Sequence, residues 1–195
     1  MIRLIIIIAA AIGIWNGADG LWVNITSGSL TTFDIRTVEK HGIGNNRYIK
    51  ITGGTWGSSY TYQVNEKSDD VHYIIYSLQS PETYSNIIDG KNATVHVLVK
   101  KPAYIPANNL DKWTTANGSD DDEVEAQGVT LVGLDSISSG HIDLIESMNI
   151  TVSDSVIFLE EGTEPRSIIT NLLMLIISSL IIYLLMRSWF SEDYE

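Results

Sequence analysis

The chain contains no cysteine. Disulfides, cysteine-bearing zinc sites, iron–sulfur clusters and thiol nucleophiles are excluded together. Basic residues are also scarce, 12 Lys/Arg against 24 Asp/Glu, for a formal charge of −12. Residues 19–165 hold 9 Lys/Arg and 21 Asp/Glu, again −12, so the acidity lies between the apolar ends. Such a surface repels phosphate backbones and anionic headgroups, which argues against nucleic acid and against a peripheral polybasic anchor. The patterns H-E-x-x-H, G-x-S-x-G, S-x-x-K and G-x-x-x-x-G-K-[ST] are absent. Gly42-Ile-Gly44-Asn-Asn-Arg47 lacks the third glycine of a dinucleotide loop and precedes a strand pattern, so it reads as a hairpin turn.

What is present in quantity is aliphatic sequence at both ends. Residues 167–186 carry no charge, and twenty residues at about 1.5 Å each match the roughly 30 Å hydrocarbon core of a bilayer. Arg166 and Arg187 bracket this stretch, and Tyr183, Trp189 and Phe190 fall where an interfacial aromatic belt forms. A transmembrane helix is predicted there, followed by a short polar tail at 187–195. At the other end, Arg3 precedes an apolar run from Leu4 to Trp15, about 18 Å as a helix and short for a span. Residues 1–18 are read as an uncleaved membrane anchor or a signal peptide, the anchor being favoured; Trp15 and Trp22 are placed at the membrane interface. The basic N-terminus predicts an inner or plasma membrane location with the domain at 19–165 on the exported side. Four N-x-[ST] sequons, at Asn24, Asn92, Asn117 and Asn149, matter only in a eukaryotic secretory route.

Between the ends the pattern is mostly strand: short alternating or apolar runs separated by turn residues. Strands are expected at 21–26, 32–38, 47–52, 59–64, 71–78, 93–99, 129–133 and 156–159. Turn clusters are expected at 42–46, 66–70, 80–86 and 89–92, and a polar loop at 102–127. One helix, 140–148, follows from the spacing of Ile142, Leu144, Ile145 and Met148. The fold expected is mainly β (α+β): a small barrel or sandwich with one short helix, flanked by N- and C-terminal transmembrane helices.

His72 and His96 lie on separate expected strands and would have to converge to hold haem or a metal. Isolated strand-surface histidines are the plainer reading of both. Asp120-Asp-Asp-Glu123 lacks the alternating ligands and glycine of an EF-hand loop and reads as a solvated loop. Tyr48, Tyr60, Tyr62, Tyr73, Tyr76 and Tyr84, with Trp56, suit core packing, a minority lining a groove.

Arg47-Tyr-Ile-Lys-Ile-Thr-Gly-Gly54, His72-Tyr-Ile-Ile-Tyr-Ser-Leu78, Ala93-Thr-Val-His-Val-Leu-Val-Lys100 and Glu125-Ala-Gln-Gly-Val-Thr-Leu-Val-Gly133 occur in an order that resembles the surfeit-locus family of cytochrome oxidase assembly proteins. That resemblance implies a β domain between two spans and a role in membrane-complex assembly. Where the family's Arg-Gly-Trp signature would stand, the chain reads Lys100-Lys-Pro-Ala-Tyr104, so no haem-binding residue is carried over. Leu159-Glu-Glu-Gly-Thr-Glu-Pro165 is similar to a run preceding the second span of uncharacterised bacterial two-span membrane proteins. The function expected is non-enzymatic and cofactor-free. The exported domain would engage another membrane or exported protein, beside the lipid bilayer, in envelope or complex assembly. The alternative is a haem or metal carrier in membrane-complex biogenesis.

Overall fold

In the computed structural model, residues 2–26, 29–64, 68–110, 123–131, 139–148 and 150–192 are described; the side chains of 2, 3, 59, 139 and 189–192 are not. In chain order the elements are α1 (Ile2–Thr26), β1 (Thr31–Asp34), α2 (Ile35–His41), β2 (Tyr48–Val64), β3 (Asp70–Gln79), α3 (Pro81–Ile88), β4 (Thr94–Pro106), a 3-10 turn at Ala107–Asn109, β5 (Val124–Leu131), α4 (Ser139–Ser147), β6 (Thr151–Glu161) and α5 (Ile168–Glu192). They form two compact units, Met1–Ser29 with Pro165–Glu195, and Leu30–Glu164.

The first unit is a pair of helices. Their apolar stretches, Leu4–Thr26 and Ile168–Ser188, are 23 and 21 residues long, about 35 and 32 Å, enough to cross a membrane. Only 11% of each apolar stretch is buried, so neither is the core helix of a larger soluble fold. Residues 21–26, expected as a strand, are instead the last turns of α1. Their β-branched and aromatic residues favour strand locally, but Val23 is 4% exposed in the helix pair, and packing overrides that preference.

The second unit is mixed α/β, not β with one short helix. Its sheet has six strands in the order β1-β2-β3-β4-β6-β5, and β5 also pairs with β2. β1 runs parallel to β2, β4 parallel to β6, and the remaining pairs are antiparallel. β2 changes partner along its length: 48–54 pair with β5 and 55–64 with β3. The change falls at an irregularity containing Gly53, whose φ of +70° is open to glycine and strained for other residues.

Two neighbouring rows of side chains define the sheet's faces. Tyr60, Tyr76, Val99, Leu159 and Thr130 pair in succession across β2, β3, β4, β6 and β5. Tyr76, Val99 and Leu159 join the main core with Ile49, Ile51, Trp56, Ile74 and Val97. One residue along, Thr61, Ile75, Lys100 and Glu160 form a row on the opposite face. There a second core joins Ile75, Leu98 and Val152 to Ile145 of α4. Apolar cover on both faces explains the nearly continuous hydrophobic run of β3.

Three other expectations are corrected. The strand at 32–38 stops at Asp34, whose carboxylate accepts from Arg36 N at 2.9 Å and caps α2. The turn cluster at 80–86 is α3, capped by Ser80 with Pro81 in its first turn. The loop expected at 102–127 is shorter, because β4 continues to Pro106 and β5 begins at Val124; residues 111–122 lie outside the described residues.

Candidate functional site

β3 and β4 pair, as convergence of His72 and His96 requires, but their register separates the two residues. Leu78 lies opposite Val97 and Val71 opposite Ile105. His96 is therefore near Gln79, seven residues along β3 from His72, about 24 Å at strand rise. His72 instead stacks near Tyr104, ring centres 5.9 Å apart. Among the described residues no group of three or more His, Asp or Glu side chains is placed to hold a metal ion. Asp120, Asp121 and Asp122 lie outside the described residues.

A different histidine has a built environment. His141, on α4, approaches Thr61 of β2, Nδ1 to Oγ1 2.7 Å, and Tyr73 of β3, Nε2 to Oη 3.4 Å. Burial holds its pKa below the ordinary value of 6.5. Beside it, the Lys100 ammonium sits 4.9 Å from the centre of the Tyr73 ring and binds Glu160 at 2.8 Å. A hydroxyl against an imidazole is the first half of a nucleophile–base pair. Thr61, however, is 4% exposed beneath α4, so this arrangement presents no attacking oxygen to a substrate. What it does is fasten a helix to a sheet.

The aromatic residues form a chain from core to surface. Trp56 and Tyr76 are buried, with ring centres 5.8 Å apart; Tyr60 follows at 5.6 Å and Tyr62 at a further 6.4 Å. Burial, and then the neighbouring Tyr60, push the Tyr76 phenol well above its ordinary pKa. Tyr62 is 44% exposed and Tyr104 76%. Tyr104 stands at the register shift between β3 and β4 with φ +47°, an unusual conformation for a bulky residue. An open, polar depression lined by Glu125, Gln127, Glu161 and Glu164 occurs elsewhere; two of its carboxylates are bound by lysines, Glu125 by Lys50 and Glu161 by Lys101.

In the helix unit, α1 and α5 run antiparallel. Gly13 faces Ser178, Gly17 faces Asn171 and Leu175, and Gly20 lies against the Asn171 amide. With Ala10 and Asn24, these residues make a seam at alternating three- and four-residue spacing, on which a side chain would overlap α5. Asn171 is fully buried there. Its Nδ2 donates to the Arg166 carbonyl at 3.3 Å, which also accepts from Asn24 Nδ2 at 2.9 Å. The Asn171 Oδ1 has no hydrogen-bond donor among the described residues, its neighbour being the Gly20 backbone. The sequence signal for this seam, Gly13-x-x-x-Gly17, is short and lies in the first helix.

Of the expected interface residues, Tyr183, Arg166 and Arg187 are exposed near the ends of α5. Trp22 is near the end of α1, while Trp15 stands eleven residues, about 17 Å, into the apolar stretch and so at its middle. Trp189 lies in α5 among the side chains outside those described. Of the sequons, Asn24 is engaged within the helix pair and Asn92 is exposed between α3 and β4, whereas Asn117 and Asn149 lie outside the described residues. The sequence matches no family model, and comparison with curated proteins and with solved structures finds no match.

Proposed function

We propose that the protein is a two-span membrane adaptor whose domain at 30–164 is a small barrel that recruits another membrane or exported protein. The circuit β2-β3-β4-β6-β5 with return to β2, containing one parallel pair, has the layout of an OB-like barrel. The observation that carries the recruiting role is Tyr104. It is a large aromatic held outward, 76% exposed, in a backbone conformation that costs free energy. Aromatic anchors are the residues most enriched at protein interfaces.

Residues 2 and 192 lie at one end of the antiparallel pair and 26 and 168 at the other, so the inserted domain joins the pair at a single end. Arg3 and Arg187 stand at the terminal end, and Arg36, Lys40 and Arg166 lie within about 15 residues of the other. The basic residue ahead of the first apolar run, Arg3, favours cytosolic termini and an exported domain. Photo-crosslinking from position 104 in native membranes tests the adaptor role, with the exposed Ile88 position as control. A discrete adduct from 104 and none from 88 is expected; no adduct from 104, or the same adduct from both, refutes it.

A further inference from the structure

Helix α4 lies across the outer face of the sheet, with Ile142 and Ile145 set among Ile75, Leu98 and Phe158. At its start, His141 engages Thr61 of β2 and Tyr73 of β3 through its two ring nitrogens, at 2.7 and 3.4 Å. We propose that His141 is a proton-operated latch: neutral, it fastens α4 to the sheet, and protonated, it releases α4 and uncovers the face formed by Tyr73, Ile75 and Leu98. The latch goes beyond the adaptor role and stands whether or not a partner is recruited.

A neutral imidazole offers one acceptor and one donor. This matches the pair of hydroxyls here, one of which donates to the ring while the other accepts from it, the tautomer deciding which of Thr61 and Tyr73 is the donor. An imidazolium has two donors and no acceptor. Whichever hydroxyl donated to the ring then loses its acceptor, and a charge appears where burial already disfavours it.

Among the described residues, the groups facing the ring do not rescue that charge. Thr61 and Gln63 on β2 are uncharged, and β3 contributes the Tyr73 phenol. β4 contributes Lys100, a cation, and the Glu160 carboxylate of β6 is bound to it at 2.8 Å. On α4 itself, Asp143 and Glu146 stand two and five residues from His141; the positions three and four residues on, which share its face, are Leu144 and Ile145. Because the folded pKa lies below the unfolded value, attachment is at full strength above about pH 6.5 and weakens as the pH falls through and below that value.

Hydrogen exchange of the full chain in detergent micelles, at about pH 8 and about pH 5 with intrinsic rates corrected, tests this. Protection over 139–147 is expected to fall at least about tenfold on acidification while β3 and β4 keep theirs, and His141→Gln should remove the pH dependence. A flat wild-type profile, or the same loss in His141→Gln, would overturn the latch. Should that variant not fold, the NMR titration of the wild-type His141 imidazole decides. A midpoint below 6.5 that coincides with the loss of protection supports the latch, and any other midpoint overturns it.

Discussion

Tyr104 carries the most legible strain in the domain. A left-handed backbone costs an L-residue about 1–2 kcal/mol, and glycine almost nothing. Tyr104→Gly should therefore stabilise the full chain by about 0.5–1 kcal/mol in urea unfolding, although glycine ordinarily weakens an exposed strand position. It should also abolish any adduct made from that surface. A destabilised variant would mean that contact with His72 outweighs the strain. Neither Tyr104 nor His141 was legible as a site in the sequence. The bulge at Tyr104 lacks the glycine that usually marks one, and His141 meets Thr61 across 80 residues of chain. His72 and His96 looked better placed because the strands that hold them could be read, but neither the pairing nor the register of those strands could.

Elements were easier to read than their ends. The strands of the central sheet and helix α4 follow from alternation and from helical spacing, and they fold where that patterning points. Two of the misreadings sit at caps. Asp34 before α2 and Ser80-Pro81 before α3 are ordinary helix-start signals, hidden by β-branched residues in one case and by turn-like composition in the other. Within the helix pair, small residues are as decisive as hydropathy. A Cβ at position 13 would lie 3.2 Å from Ser178 Cβ, close to the separation of about 3.8 Å found in disulfides. In this cysteine-free chain, Gly13→Cys with Ser178→Cys should crosslink efficiently under mild oxidation. Adding Gly20→Leu should abolish the crosslink, because the new side chain displaces Asn171. Crosslinking that survives Gly20→Leu would show that the seam does not hold the pair.

At the scale of the molecule, charge and hydropathy are segregated. Net acidity lies almost entirely between residues 19 and 165, and long uncharged runs lie in two helices that pair with each other. Segregation of this kind was plain in the sequence; the length of the first span was not. The run from Leu4 to Trp15 is followed at 21–26 by residues that locally suit a strand, yet the helix, packed against α5, continues to Thr26. The account rests on that antiparallel pair spanning a bilayer, with both termini on one side and the domain on the other. Single cysteines introduced at Lys91 and at Ser191 test it most directly, by labelling with a membrane-impermeant maleimide in sealed, right-side-out vesicles. Labelling at 91 but not at 191 until the vesicles are opened is the predicted result; equal labelling of both positions in sealed vesicles would contradict it.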